Sequence, residues 1–82
     1  MVTVAYEARF VKRIKKIKDE KLKERVKKQI EKIIEKPEVG KPMRFSRRGN
    51  REVYIPLFRL SYGYIKKEDK IVLLDLHHKN EQ

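Results

Sequence analysis

The chain changes its hydrophobic period from helical to alternating between Pro37 and Pro42, and that change limits it to a small set of folds. From Phe10 to Pro37 the apolar residues recur at helical spacing. Phe10, Ile14 and Ile17 make one stripe, with Arg9, Lys12, Arg13, Lys15 and Lys16 around the rest of the turn. Asp19 can cap a second helix, whose stripe is Leu22, Val26, Ile30, Ile33 and Ile34. Pro37 stops it, since proline removes an amide donor and clashes with the preceding turn. After the Glu38–Pro42 loop the spacing becomes two, and Met43 and Phe45 open the β region. Val53 and Ile55 alternate with Glu52 and Tyr54; Phe58, Leu60, Tyr62 and Tyr64 alternate with Arg59, Ser61 and Gly63. Ile71 to Leu76 is the most apolar run, as a central strand requires. At the other end, Val2, Val4 and Tyr6 alternate with Thr3 and Ala5 as a short strand.

Arg47 to Arg51 reads as a basic turn, Pro56-Leu57 as a strand break, and Lys66 to Lys70 as a charged hairpin turn. The resulting order is β-α-α-β-β-β, an α+β fold. Two short helices cannot bury their stripes on each other alone, so the helical hairpin should pack on one face of a small, antiparallel-dominated sheet. Residues 1–82 make a single domain, with no internal repeat or linker.

Charge then narrows the function. Lys and Arg number 23 against 12 Asp and Glu, a formal net charge of +11, and the mean hydropathy is −0.81. An excess of this size on a small domain favours a polyanionic partner, a nucleic acid or an acidic protein. The chain has no cysteine, and its two histidines, His77 and His78, are adjacent. Neither a disulfide framework, a metal site nor a cofactor is expected. No apolar run approaches the roughly 20 residues that cross a bilayer. The first residues do not form a signal peptide, so a cytoplasmic location with no membrane partner is expected.

Strand parity predicts what the sheet shows to solvent. If Val53, Ile55, Phe58, Leu60, Tyr62 and Tyr64 face the helices, then Glu52, Tyr54, Arg59 and Ser61 face away. On the last strand, Val72, Leu74 and Leu76 form one set, and Ile71, Leu73, Asp75, His77 and Lys79 the other. The plain reading is the wet face of a half-buried sheet. The chemical reading is that acid–base types, a phenol and cations share one surface. Cleaving RNA through its own 2′-hydroxyl needs such a set: a base for the 2′ proton, an acid for the departing 5′ oxygen, and cations for the charge on phosphorus. Alternation allows at most one of His77 and His78 to share the surface with Arg59.

The residues resemble the RelE/ParE toxin superfamily of type II toxin–antitoxin pairs. Gly40-Lys41-Pro42-Met43 is similar to the "GKPL" that follows the helical hairpin, and Leu57-Phe58-Arg59-Leu60-Ser61-Tyr62 to the "GDYRVIY" strand with its central arginine. Ile71 to Lys79 resembles the final basic-ended strand. Arg51-Glu52-Val53-Tyr54-Ile55 and the ending His78 to Gln82 are closest to the HigB-like branch. The resemblance implies a toxin that cleaves mRNA, usually on the ribosome, and is silenced by a cognate acidic antitoxin. It puts Arg59 on the pentavalent phosphate, Lys79 and His77 or His78 on charge or proton handling, and Arg47, Arg48 and Arg51 on the RNA backbone. Two departures stand out. Glu52 and Tyr54 occupy positions where RelE carries lysines, and the late catalytic tyrosine has no counterpart, so that Tyr54 or His78 would substitute. A ParE-like inhibitor that binds gyrase and cuts nothing, or a member that only binds RNA or its antitoxin, would share the same fold.

Overall fold

A computed structural model describes residues 2–43 and 49–79. The elements are β1 (Thr3–Tyr6), α1 (Ala8–Lys16), α2 (Glu20–Glu35), β2 (Lys41–Pro42), β3 (Arg51–Ile55), β4 (Phe58–Ile65) and β5 (Lys70–His78). The α+β architecture is the one the periodicities require, with one addition. The two-residue β2 pairs with the outer edge of β3, Lys41 opposite Glu52 and Pro42 opposite Arg51.

Asp19 caps α2 as its chemistry allows. Its carboxylate accepts hydrogen bonds from the Lys21 and Leu22 amides at 2.9 and 3.4 Å, satisfying two of the donors a helix start leaves free. Arg13, Lys15 and Lys16 fill the last turn of α1, where positive charge meets the negative end of the helix dipole.

The five-stranded sheet has the order β1-β5-β4-β3-β2. Only β1 runs parallel to its neighbour, from Thr3 opposite Lys70 to Tyr6 opposite Leu73. Because β1 covers only the first half of β5, α1 continues alongside the second half and packs against it, while α2 packs against β3. Phe10, Val26 and Ile33 from the helices meet Val53, Ile55, Leu60, Tyr62, Ile71, Leu73 and Leu76 from the sheet in one core. Ile34, the last member of the expected α2 stripe, sits at the stripe's edge and is 40% exposed.

One expectation about the sheet fails. On β5, Ser61 of β4 pairs with Asp75 but Tyr62 pairs with Leu73, so Leu74 has no partner. This β-bulge resets the alternation. Ile71 and Leu73 are wholly buried in the core and Leu76 rejoins them, while Val72 and Leu74 are only half-buried. Ile71 and Leu73 therefore do not share a surface with Asp75 and His77, as uninterrupted alternation required. The bulge also needs a substitute for a lost ladder bond, and the Asp75 carboxylate supplies one by accepting from the Leu76 amide at 2.9 Å.

Candidate functional site

The face of β3, β4 and β5 turned away from the helices carries two cross-strand rows. Tyr54, Arg59 and His77 are opposite one another in register, and so are Glu52, Ser61 and Asp75. Side chains in such a row stand about 5 Å apart at Cβ, so the six form one patch. The bulge is what lets Asp75 join it.

Arg59 lies at the centre. Its guanidinium carbon is 5.3 Å from the centroid of the Tyr54 ring, a cation–π distance. Its Nε is buried and, among the described residues, has no hydrogen-bond partner. A buried charged donor without an acceptor is costly, and an anion arriving over the patch would supply the acceptor. The Tyr54 hydroxyl donates to Glu52 Oε1 at 3.3 Å, and Gln29 of α2 donates to the Tyr54 carbonyl at 2.8 Å, holding this edge of the sheet.

Asp75 is the second focus. Its Oδ2 lies 3.8 Å from Nδ1 of His77 and its Oδ1 3.6 Å from Nε of Arg13 on α1, while the Ser61 hydroxyl donates to its carbonyl at 3.4 Å. With Nδ1 facing a carboxylate, Nε2 is the His77 nitrogen left for a substrate. Arg9, Met43, Asn50, Ser61, Leu74, Asp75 and His77 line a concavity of about 510 Å³ along this face. Arg9 and Arg13, four residues apart and so on one side of α1, line an adjoining basic groove with Lys12 and Lys16, and Arg9 is shared between the two hollows. Their helical spacing was visible in the sequence. That α1 runs beside the second half of β5 was not.

The remaining sequence-selected residues go elsewhere. His78 pairs with Phe58 and meets its ring edge-on, centroids 5.3 Å apart, in a helix-side cleft with Ile17 and Leu22. Arg51 is also on the helix side, and its Nη1 donates to the carbonyls of Glu38 and Gly40 at 3.1 and 2.8 Å, pinning the loop after α2. Lys79 is exposed at the end of β5, its amide donating to the Leu57 carbonyl at 2.9 Å. Arg47 and Arg48 lie outside the described residues. Burial raises the pKa of Tyr62, partly offset by the Gly40 amide and Arg51; this phenol belongs to the core. Among the described residues there is no cluster able to hold a metal ion and no helix long and apolar enough to cross a membrane.

The family model for the ParE toxin of type II toxin–antitoxin systems, parDE, matches residues 4–82. No curated protein matches the sequence significantly. Among solved structures, the toxin chain of the intact RelBE toxin–antitoxin complex of Escherichia coli is similar, with a TM-score of 0.82, 17% identity and complete coverage of both chains. The RelBE2 toxin–antitoxin complex of Mycobacterium tuberculosis contains a chain with a TM-score of 0.78 and 23% identity, covering 95% of this chain and 98% of that one. The RelE–RelB complex of Pyrococcus horikoshii gives a TM-score of 0.77 at 14% identity, covering 99% and 98%. At these identities the likeness is one of fold.

Proposed function

This chain belongs to the ParE toxin family of type II toxin–antitoxin systems, and we propose that it is a toxin that cleaves mRNA on the ribosome and is silenced by a cognate acidic antitoxin. The observation that carries the reading is the register of Tyr54, Arg59 and His77, with the Arg59 Nε buried and unpartnered among the described residues. In the proposed reaction the RNA 2′-hydroxyl attacks the adjacent phosphorus, the O2′–P bond forms and the P–O5′ bond breaks. Products are a 2′,3′-cyclic phosphate and a 5′-hydroxyl. His77, held by Asp75, takes the 2′ proton at Nε2, and the departing 5′ oxygen takes a proton from solvent. The imidazolium then returns its own proton to solvent, which restores the neutral imidazole. Arg59 meets the negative charge that grows on the phosphoryl oxygens with its planar fork. Arg9 and Arg13 carry the flanking backbone, and Lys79 adds charge at the strand end. No step needs a metal or cofactor. The antitoxin follows from the family and from a net charge of +11, which an acidic partner would neutralise.

The matched family is that of the ParE toxin, and the second reading is accordingly a ParE-like inhibitor that binds gyrase and cuts nothing. Single-turnover cleavage of ribosome-bound mRNA separates the two. Arg59→Ala should lower the rate by roughly 10²–10³ while the melting curve and antitoxin binding stay close to wild type. Arg59→Lys should recover part of the loss, because a point charge cannot replace the bidentate fork. Intact messages alongside arrested growth would establish the inhibitor instead.

A further inference from the structure

We infer that Glu52 and Tyr54 form a nucleobase subsite selective for guanine, placed beside the phosphate position at Arg59; this rests on the RNA reading above. Tyr54 is 52% exposed, yet its side chain is fixed at two points. Arg59 lies 5.3 Å from the ring centroid, and the hydroxyl is tied to Glu52 at 3.3 Å. A large aromatic surface already held in place loses little freedom when a base stacks on it. Since Arg59 sits against this ring, a base stacked there belongs to the nucleotide whose phosphate Arg59 holds.

Glu52 decides which base. Among the described residues its only side-chain hydrogen bond is to the Tyr54 hydroxyl, and no cation, its register partner Lys41 included, lies within ion-pair distance of it. A carboxylate beside a phosphate position weakens the attraction for RNA unless it accepts a hydrogen bond from the RNA itself. It is an acceptor only, and the hydroxyl occupies one of its roughly four lone-pair sites. Of the four bases, guanine alone presents two adjacent donors, N1–H and N2–H, to a carboxylate. Adenine and cytosine place an acceptor nitrogen beside their amino group, and uracil flanks its N3–H with two carbonyls. Glu52 at the hydroxyl end of the Tyr54 ring is therefore matched by the Watson–Crick edge of guanine and set against the others.

The test is equilibrium binding of the full chain to 2′-fluoro pentanucleotides, which carry no nucleophile and cannot be cut. UUGUU should bind tighter than UUAUU, UUCUU and UUUUU by roughly fivefold or more. A UUIUU strand, which keeps N1–H but lacks the amino group, should fall between. Glu52→Gln should erase the guanine advantage while UUUUU binds at least as well, since a negative charge is removed. Tyr54→Ala should weaken every strand by roughly tenfold, and Tyr54→Phe much less. Equal affinity for all centres, a preference that survives Glu52→Gln, or no binding at all would overturn the subsite. Guanine-selective binding by a protein that leaves ribosome-bound mRNA intact would sustain the subsite and overturn the cleavage reading. Cleavage without guanine selectivity would do the reverse.

Discussion

The hydroxyl of Tyr62 accepts a hydrogen bond from the Gly40 amide and donates one to the Pro37 carbonyl, both at 2.8 Å, so a core residue of β4 fixes the loop that follows α2. A β-carbon on Gly40 would lie 2.6 Å from that hydroxyl, 2.7 Å from the ring and 3.0 Å from the Glu52 carbonyl. Gly40→Ala should therefore destabilise the domain by about 1–3 kcal/mol through overpacking. Tyr62→Phe should cost about 1–3 kcal/mol as well, because it strands a buried amide and a carbonyl. The two changes touch the same atoms, so their costs should not add. In the Tyr62→Phe background, Gly40→Ala should cost less, though not zero, since the ring contact remains. Additive costs in a denaturant-melt cycle would show that the loop is not held through this hydroxyl.

Stability should also depend on pH through the same phenol. Burial raises its pKa in the folded state above the ordinary value of 10.0. The unfolded chain thus releases this proton first as pH rises. The contribution is complete below about pH 10, the unfolded value, and is lost as pH climbs through the higher folded value. Melting temperature measured from about pH 8 to roughly pH 11.5 should fall more steeply for the wild type than for Tyr62→Phe. Parallel curves would remove Tyr62 from the alkaline transition.

Pro56 and Leu57 form the two-residue connection between Ile55 and Phe58, and Leu57 has φ of 69°. Proline first and positive φ second is the type II arrangement, which favours glycine or asparagine at the second place. A bulky side chain there costs roughly 1–2 kcal/mol. Leu57 is 58% exposed, so little apolar burial offsets that cost. Leu57→Asn should raise stability by about 1 kcal/mol, a gain of roughly 4–8 °C in a domain of this size. Leu57→Val should lower it, because β-branching is worse still at positive φ. A lower Tm for Leu57→Asn would mean that the leucine makes a contact beyond this surface.

The fold was legible because each segment's period agrees with its partner's needs. The stripe of Val26 and Ile33 requires a sheet face, and Val53, Ile55, Leu60 and Tyr62 provide one by plain alternation. On the last strand alternation put Asp75 and His77 on the Arg59 face and Leu76 on the other, as found, but misplaced Ile71 and Leu73, which are buried in the core. A bulge leaves no mark in a run such as Ile71 to Leu76, where every residue but Asp75 is apolar, so parity across it could not be counted correctly for both sides. Arg51 was misplaced for a different reason, since its parity with Val53 and Ile55 is regular. Its cationic type suggested phosphate, but its odd position on β3 turns it toward the loop carbonyls of Glu38 and Gly40. Arg9 and Arg13 were visible as a helix face, yet their place beside Asp75 depends on how far β1 extends along β5, which residue types do not encode.

His77 and His78 give the sharpest separation of chemistry from packing, because neighbours on one strand serve opposite faces. His77 stands across from Arg59 with Nδ1 3.8 Å from Asp75, while His78 meets the edge of Phe58 on the helix side. His78→Ala should lower stability, with about 0.5–1.5 kcal/mol from the aromatic pair alone, and leave cleavage per folded molecule nearly unchanged. His77→Ala should leave the melting curve close to wild type and cut the single-turnover rate by roughly 10²–10⁴. Asp75→Asn then separates two roles of one residue. The amide oxygen can still accept from the Leu76 amide, so the bulge should persist and stability change little. The charge facing His77 and Arg13 is gone, so the rate should fall, though less than on loss of the imidazole. If Asp75→Asn melted far below wild type while cutting normally, Asp75 would serve the bulge alone. If His78→Ala rather than His77→Ala abolished cleavage, the active face would be the one beneath the helices.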